Sequence, residues 1–141
     1  MICVSGGFDP LHVGHLSMFA RAAEMGPLTV ILNSDEWLVR KKGFFFQSWE
    51  DRAALIRSLR AVDAVEPVDD ADGTVCEALR RLRPAVFLNS GDRQIGNTPE
   101  AGLCREMNIA TVFVASEFPG VHSSRIAARV RPFISPNESR L

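Results

Sequence analysis

Gly6-Gly7-Phe8-Asp9-Pro10-Leu11-His12-Val13-Gly14-His15 is the stretch from which the rest of the chain is read. It follows a short apolar run, Ile2-Cys3-Val4. It precedes a pattern in which Leu16, Phe19, Ala20 and Ala23 fall at i, i+3, i+4 and i+7, the spacing of an amphipathic helix. The ten residues therefore form the turn from a first strand into a first helix. Backbone N–H groups at a helix N-terminus point outward and favour anions. Glycine, here Gly6, Gly7 and Gly14, lets a phosphate approach the main chain closely. His12 and His15 add donors that can follow charge as it builds on a phosphoryl group.

Outward from this turn, short apolar runs alternate with helical periods. Gly26-Pro27 ends the first helix, and Leu28 to Leu32 is a continuous apolar run, as in a strand covered on both faces. Asp35 to Arg40 predicts a short helix that Lys41-Lys42-Gly43 breaks. Ser48, with Asp51 three residues on, starts a helix whose expected buried face is Leu55, Ile56 and Leu59. Val62 to Val68 reads as a strand, Asp69 to Gly73 as a turn. Val75, Ala78, Leu79 and Leu82 mark a helix that Pro84 stops. Ala85 to Leu88 is a fourth strand. Thr98-Pro99 opens a helix running to about Met107, and Thr111 to Val114 is a fifth strand. Ser123 and Ser124 cap a last helix with Ile126, Ala127 and Val130 on its inner face. Such alternation implies right-handed crossovers and helices on both faces of a sheet. The expected fold is a Rossmann-like three-layer α/β/α domain with a mainly parallel five-stranded sheet over residues 1–131, followed by a tail at 132–141. Ligands of such sheets bind at the carboxyl ends of strands. The loops after the first, second and fourth strands all lie on that edge.

At 141 residues the chain can bury a real core. Its net charge of −1 supplies no general field for nucleic acid. Cys3, Cys76 and Cys104 show no Cys-x-x-Cys spacing, and buried free thiols in a reducing compartment are expected. No basic segment followed by a long apolar stretch opens the chain, and no apolar run reaches the ~20 residues of a membrane span. The expected location is cytoplasmic, with neither a membrane nor nucleic acid as partner.

The His-x-Gly-His element with its Gly-x-Phe-Asp lead-in resembles the signature of the nucleotidyltransferase superfamily, in its cytidylyltransferase-like branch. The similarity spans roughly residues 1 to 130 and adds four elements. Asn33-Ser34-Asp35 followed by Lys41-Lys42 is similar to heptose-phosphate adenylyltransferases; either lysine could hold a triphosphate as a point charge, or form a solvated basic turn. Arg52 matches an arginine that in relatives helps hold a phosphate; on its own it reads equally as a surface partner of Glu50 or Asp51. Asn89-Ser90-Gly91-Asp92-Arg93 stands where relatives carry Gly-Gly-Asp, with Asp92 suited to hydroxyls and Arg93 to a phosphate or carboxylate. Gly120-Val121-His122-Ser123-Ser124-Arg125-Ile126 resembles a Gly-x-Ser-Thr-Thr-x-Ile element that would bring hydroxyl and backbone donors to phosphates. Glycerol-phosphate cytidylyltransferases carry an arginine just before this element. Glu117-Phe118-Pro119 stands there instead, which favours ATP over CTP. Phe44-Phe45-Phe46 reads either as a dimer contact or as an apolar lid.

The resemblance implies an enzyme that moves a nucleoside monophosphate from a nucleoside triphosphate to a small phosphorylated acceptor, such as a sugar or polyol phosphate, releasing pyrophosphate. His12, His15 and Lys42 are the expected catalytic groups. Gly6, Gly7, Phe8, Gly14, Lys41, Gly91, Asp92, Ser123 and Ser124 are expected on the nucleotide, and Asp9, Asp35, Arg52 and Arg93 on the acceptor. Mg²⁺ is expected to arrive with the triphosphate rather than in a dedicated protein site, and the assembly to be a homodimer. The alternatives are a CTP-dependent enzyme of the glycerol-phosphate type and a nucleotide-binding module without turnover. A dinucleotide dehydrogenase is excluded by the lack of Gly-x-Gly-x-x-Gly after the first strand. A class I aminoacyl-tRNA synthetase is excluded by length.

Overall fold

A computed structural model describes residues 1–90, 97–130 and 132. Five parallel strands, β1 (Ile2–Gly6), β2 (Leu28–Leu32), β3 (Ala64–Pro67), β4 (Val86–Ser90) and β5 (Ala110–Val114), form one sheet in the order β3-β2-β1-β4-β5. Six helices connect them: α1 (Val13–Ala23), α2 (Asp35–Lys42), α3 (Trp49–Arg57), α4 (Cys76–Leu82), α5 (Pro99–Met107) and α6 (Ser123–Val130). The strand order runs outward from β1 in both directions, so the switch point lies between β1 and β4.

Period-two alternation in β1 divides the core. Ile2 and Val4 face a cluster with Met18, Phe19 and Ala22 of α1 and Ala53 and Ile56 of α3. Cys3 faces the other side, with Ala78 and Leu79 of α4 and Leu103 and Cys104 of α5. These clusters are the two helix–sheet interfaces of a three-layer Rossmann-like fold. All three cysteines are buried and free, as expected. Among the described residues no helix is long and apolar enough to cross a membrane. The expected tail at 132–141 lies outside the described residues except for Pro132.

Three local expectations need correction. In α1 the buried stripe is Met18, Phe19 and Ala22, not the Leu16, Phe19, Ala20 and Ala23 face; Leu16 is exposed. The helix is turned so that His15 faces inward, where Phe8 packs edge-on to both His15 and Phe19 at 4.8 and 5.1 Å between ring centroids. In α3 Leu55 is exposed and Arg52 takes the inward position beside Ala53 and Ile56. Lys41 and Lys42 do not sit on a loop. They complete the last turn of α2, where cations suit the helix dipole, and Gly43 caps the helix at φ 89°. The phenylalanine run divides: Phe44 is buried and Phe46 is exposed.

Candidate active site

The spacing of His12 and His15 has a structural cause. His12 is the N-cap of α1 and His15 is the third residue of the helix. Nδ1 of His12 accepts from the Gly14 N–H at 3.1 Å, and Nδ1 of His15 accepts from the His12 N–H at 3.2 Å. This is a capping box built from two imidazoles. The rings stack with centroids 3.6 Å apart. Backbone amides only donate, so both Nδ1 atoms are unprotonated, and each neutral ring carries its proton on Nε2. Burial pushes His15 down to about 3, with the His12 charge adding to the effect. Burial, then the nearby His122, lowers His12. At neutral pH the pair is thus two parallel, uncharged N–H donors.

Gly14 is the residue that this stacking requires. A Cβ there would stand 3.0 Å from Cε1 and 3.1 Å from Nδ1 of His12. Gly14→Ala is therefore expected to displace the His12 ring while placing a better helix former in the first turn. Turnover should fall by roughly 10²-fold for a displacement near 1 Å, while stability changes by no more than about 1 kcal/mol, the helix-propensity gain offsetting the weakened His12 cap. Steady-state kinetics beside a thermal melt checks the separation; parallel losses in both would contradict it.

The pair opens into a cleft of about 460 Å³ at the carboxyl ends of β1 and β4, the switch point of the sheet. Gly6, Gly7, Phe8, Asp9, Gly14, Lys41, Lys42, Ser123 and Ser124 line it with the two histidines. The Phe8 ring is buried under His15, at φ 48°, and supports the imidazole. The Ser123 hydroxyl donates to the Pro10 carbonyl at 2.9 Å and ties the start of α6 to the β1–α1 loop. Glu117 straps the same β5–α6 connection to α1 through Ser17 and Arg21. The Lys42 ammonium donates to the Asp9 carbonyl oxygen and lies 3.3 Å from its carboxylate. Burial lowers the Lys42 pKa, opposed by Asp9. Lys41 rests over the Trp37 ring, 4.7 Å from its centroid.

Three residues expected on the acceptor make polar contacts within the protein. Asp9 is buried and accepts from the Phe46 and Gln47 amides. Arg52 is not a surface residue. It is 1% exposed and donates to the carbonyls of Gly7, Asn33 and Gln47 and to the Asp35 carboxylate at 2.6 Å. Its fork fixes the β1–α1, β2–α2 and α2–α3 loops to one another, and Asp35 is its counter-ion. Gly91, Asp92 and Arg93 lie outside the described residues. Residues given no role of their own in the sequence reading also line the cleft: Trp37 and Glu100, with Asn89 and His122 from the two quoted motifs. Glu100 was visible only as a first-turn acid after Pro99. The strand order, which brings the start of α5 to the same edge, supplies the missing signal.

The depressed histidines make acid destabilising. An unfolded imidazole binds its proton near pH 6.5, whereas folded His15 does so only near 3. Between those values the unfolded chain binds more protons, so stability is full above about pH 6.5 and falls as pH drops toward 3. Urea midpoints measured across this range should decline with acid, and less so in His15→Gln.

The chain matches the cytidylyltransferase-like family model over residues 3–136. It is 32% identical over 123 residues to the "D-beta-D-heptose 1-phosphate adenylyltransferase" of Bordetella bronchiseptica, covering 84% of this chain and 74% of that protein. It is 37% identical over 109 residues to the "Bifunctional protein HldE" of Streptomyces coelicolor, covering 75% of this chain but only 23% of that longer protein. In fold it is similar to a lipopolysaccharide core biosynthesis protein from Thermoplasma volcanium, with a TM-score of 0.64 at 24% identity over 82% of this chain and 94% of the other. Read with the paired imidazoles at the switch point, the match across nearly the whole chain places this protein in the cytidylyltransferase-like family of nucleotidyltransferases.

Proposed function

We propose that the chain transfers an adenylyl group from MgATP to a small phosphorylated acceptor of the sugar-phosphate class. An acceptor phosphate oxygen attacks the α-phosphorus in line. The new P–O bond forms as the bond from the α-phosphorus to the bridging oxygen breaks, and pyrophosphate leaves with the electron pair. The observation that carries this reading is the pair of neutral Nε2–H donors beside the β1–α1 loop. Such donors stabilise charge on the α-phosphate and bridging oxygen with little reorganisation. No side-chain nucleophile is required, so catalysis is positioning plus electrostatics. Lys42, pinned by Asp9, is a positive charge on the cleft wall, and Lys41 and Ser124 on the same wall would meet the outgoing phosphates.

Among the described residues no group of three or more His, Cys, Asp or Glu side chains is placed to hold a metal ion. Mg²⁺ would come with the triphosphate and would supply positive charge to the leaving pyrophosphate. ATP is favoured over CTP by the Asn33-Ser34-Asp35 element and by the adenylyltransferase named among the relatives.

Pyrophosphate release, with ATP or CTP and either a heptose 1-phosphate or glucose 1-phosphate, tests the proposal. ATP with a sugar 1-phosphate should release pyrophosphate in proportion to product. ATP binding without release for any acceptor would instead support a non-catalytic module, and release with CTP alone would reassign the donor.

A further inference from the structure

The two ends of the cleft differ in chemistry. The end formed by α1 and α6 presents His12, His15 and Ser124, groups that donate to anions. The end formed by α4 and α5 presents Gly73, Val75 and Glu100. Glu100 is an acid in a cleft otherwise furnished for phosphates. Its Oε1 accepts from the Val75 N–H at 3.2 Å, which anchors the carboxylate at the start of α4 and leaves it further acceptor capacity. A carboxylate repels phosphate and accepts from hydroxyls, so the part of a ligand that it faces is uncharged and hydroxyl-bearing. Asn89, at the end of β4, lines the same cleft, and its Nδ2 is buried with no hydrogen-bond partner among the described residues. A buried amide donor without a partner is costly, and a ligand oxygen relieves that cost. Trp37 completes the wall. It packs against Gly7, where an added Cβ would stand 3.2 Å from its ring, and it carries the Lys41 ammonium over its face.

We propose that Glu100, Asn89 and Trp37 form a subsite that reads the hydroxyls and ring of the acceptor, selecting a phosphorylated sugar over a bare phosphate. This rests on the transfer reading of the same cleft. Glu100 accepts from sugar hydroxyls, Asn89 donates to a ring or hydroxyl oxygen, and the indole covers the C–H face. The vicinal hydroxyls of the nucleotide ribose have the same chemistry, so the test separates the two sources.

Calorimetric titration of wild type, Glu100→Gln and Asn89→Ala with glucose 1-phosphate, inorganic phosphate and MgATP decides the matter. Glutamine retains an oxygen for the Val75 amide, and Asn89→Ala is an independent variant should the first fail to fold. The expected result is roughly tenfold weaker binding of glucose 1-phosphate in either variant, with inorganic phosphate and MgATP unchanged. Equal losses for glucose 1-phosphate and inorganic phosphate would overturn the subsite. A loss for MgATP that vanishes with 2′,3′-dideoxy-ATP would assign the carboxylate to ribose and overturn it as well. Pyrophosphate release separates the two readings. Glu100-dependent sugar binding without release removes the transfer reading and keeps the subsite. Release with an unaltered acceptor KM in Glu100→Gln does the reverse.

Discussion

His15→Gln is expected to lower turnover by about 10²–10³-fold, the cost of losing one preorganised donor to a developing oxyanion. Glutamine is the informative replacement because it is the ordinary partner in a capping box, where its side-chain oxygen accepts from the N-cap amide. The His12 N–H should thus keep a partner and α1 its start, while the imidazole Nε2–H gives way to an amide N–H that no longer lies at the same point. His15→Ala removes both functions and also the ring on which Phe8 packs. The two variants should share the kinetic defect, and the alanine variant should be the less stable by about 0.5–2 kcal/mol, a lost cap. Pyrophosphate release gives the first quantity and urea unfolding the second. Turnover in His15→Gln within a few-fold of wild type would remove His15 from the chemistry.

Arg52→Met should be the most damaging substitution for stability, at about 3–5 kcal/mol. The guanidinium is fully buried and bonds three carbonyls and one carboxylate from segments far apart in sequence. Methionine fills much of the volume but leaves those carbonyls without donors. Because Gly7 and Asn33 belong to loops that line the cleft, the loss extends to the geometry of the site. Arg52→Lys should recover part of the stability, since one ammonium cannot span the same fork. Denaturant unfolding measures this directly. An arginine that held substrate phosphate would behave in the opposite way, with KM raised and stability intact.

Much of this architecture was legible in the residues. The all-apolar β2, the Thr98-Pro99 helix start and the αL stop at Gly43 carry their own signals, and alternation of strands with helices predicts the parallel sheet. The histidine turn was legible for the same reason, because local spacing sets its capping geometry. Helix rotation was not. The inward faces of α1 and α3 include His15 and Arg52, polar residues whose burial depends on partners distant in sequence, so apolar spacing alone pointed to Leu16 and Leu55. The same holds for Asp9, Asp35 and Arg52. Charge at a loop suggests a ligand, and only the folded chain shows that Asp9 holds Lys42 and that Asp35 pairs with Arg52. Glu100, Asn89 and Trp37 reach the cleft through strand order, a long-range property.

Both imidazoles are expected to meet the substrate as neutral Nε2–H donors. Long-range ¹H–¹⁵N correlation spectra of the histidine-labelled protein read the protonation of each ring nitrogen directly. Unprotonated Nδ1 and protonated Nε2 are expected in His12 and His15 at neutral pH, with His15 unchanged until the pH nears 3. A proton on Nδ1 of either ring at neutral pH, whether as the other tautomer or as imidazolium, would contradict it.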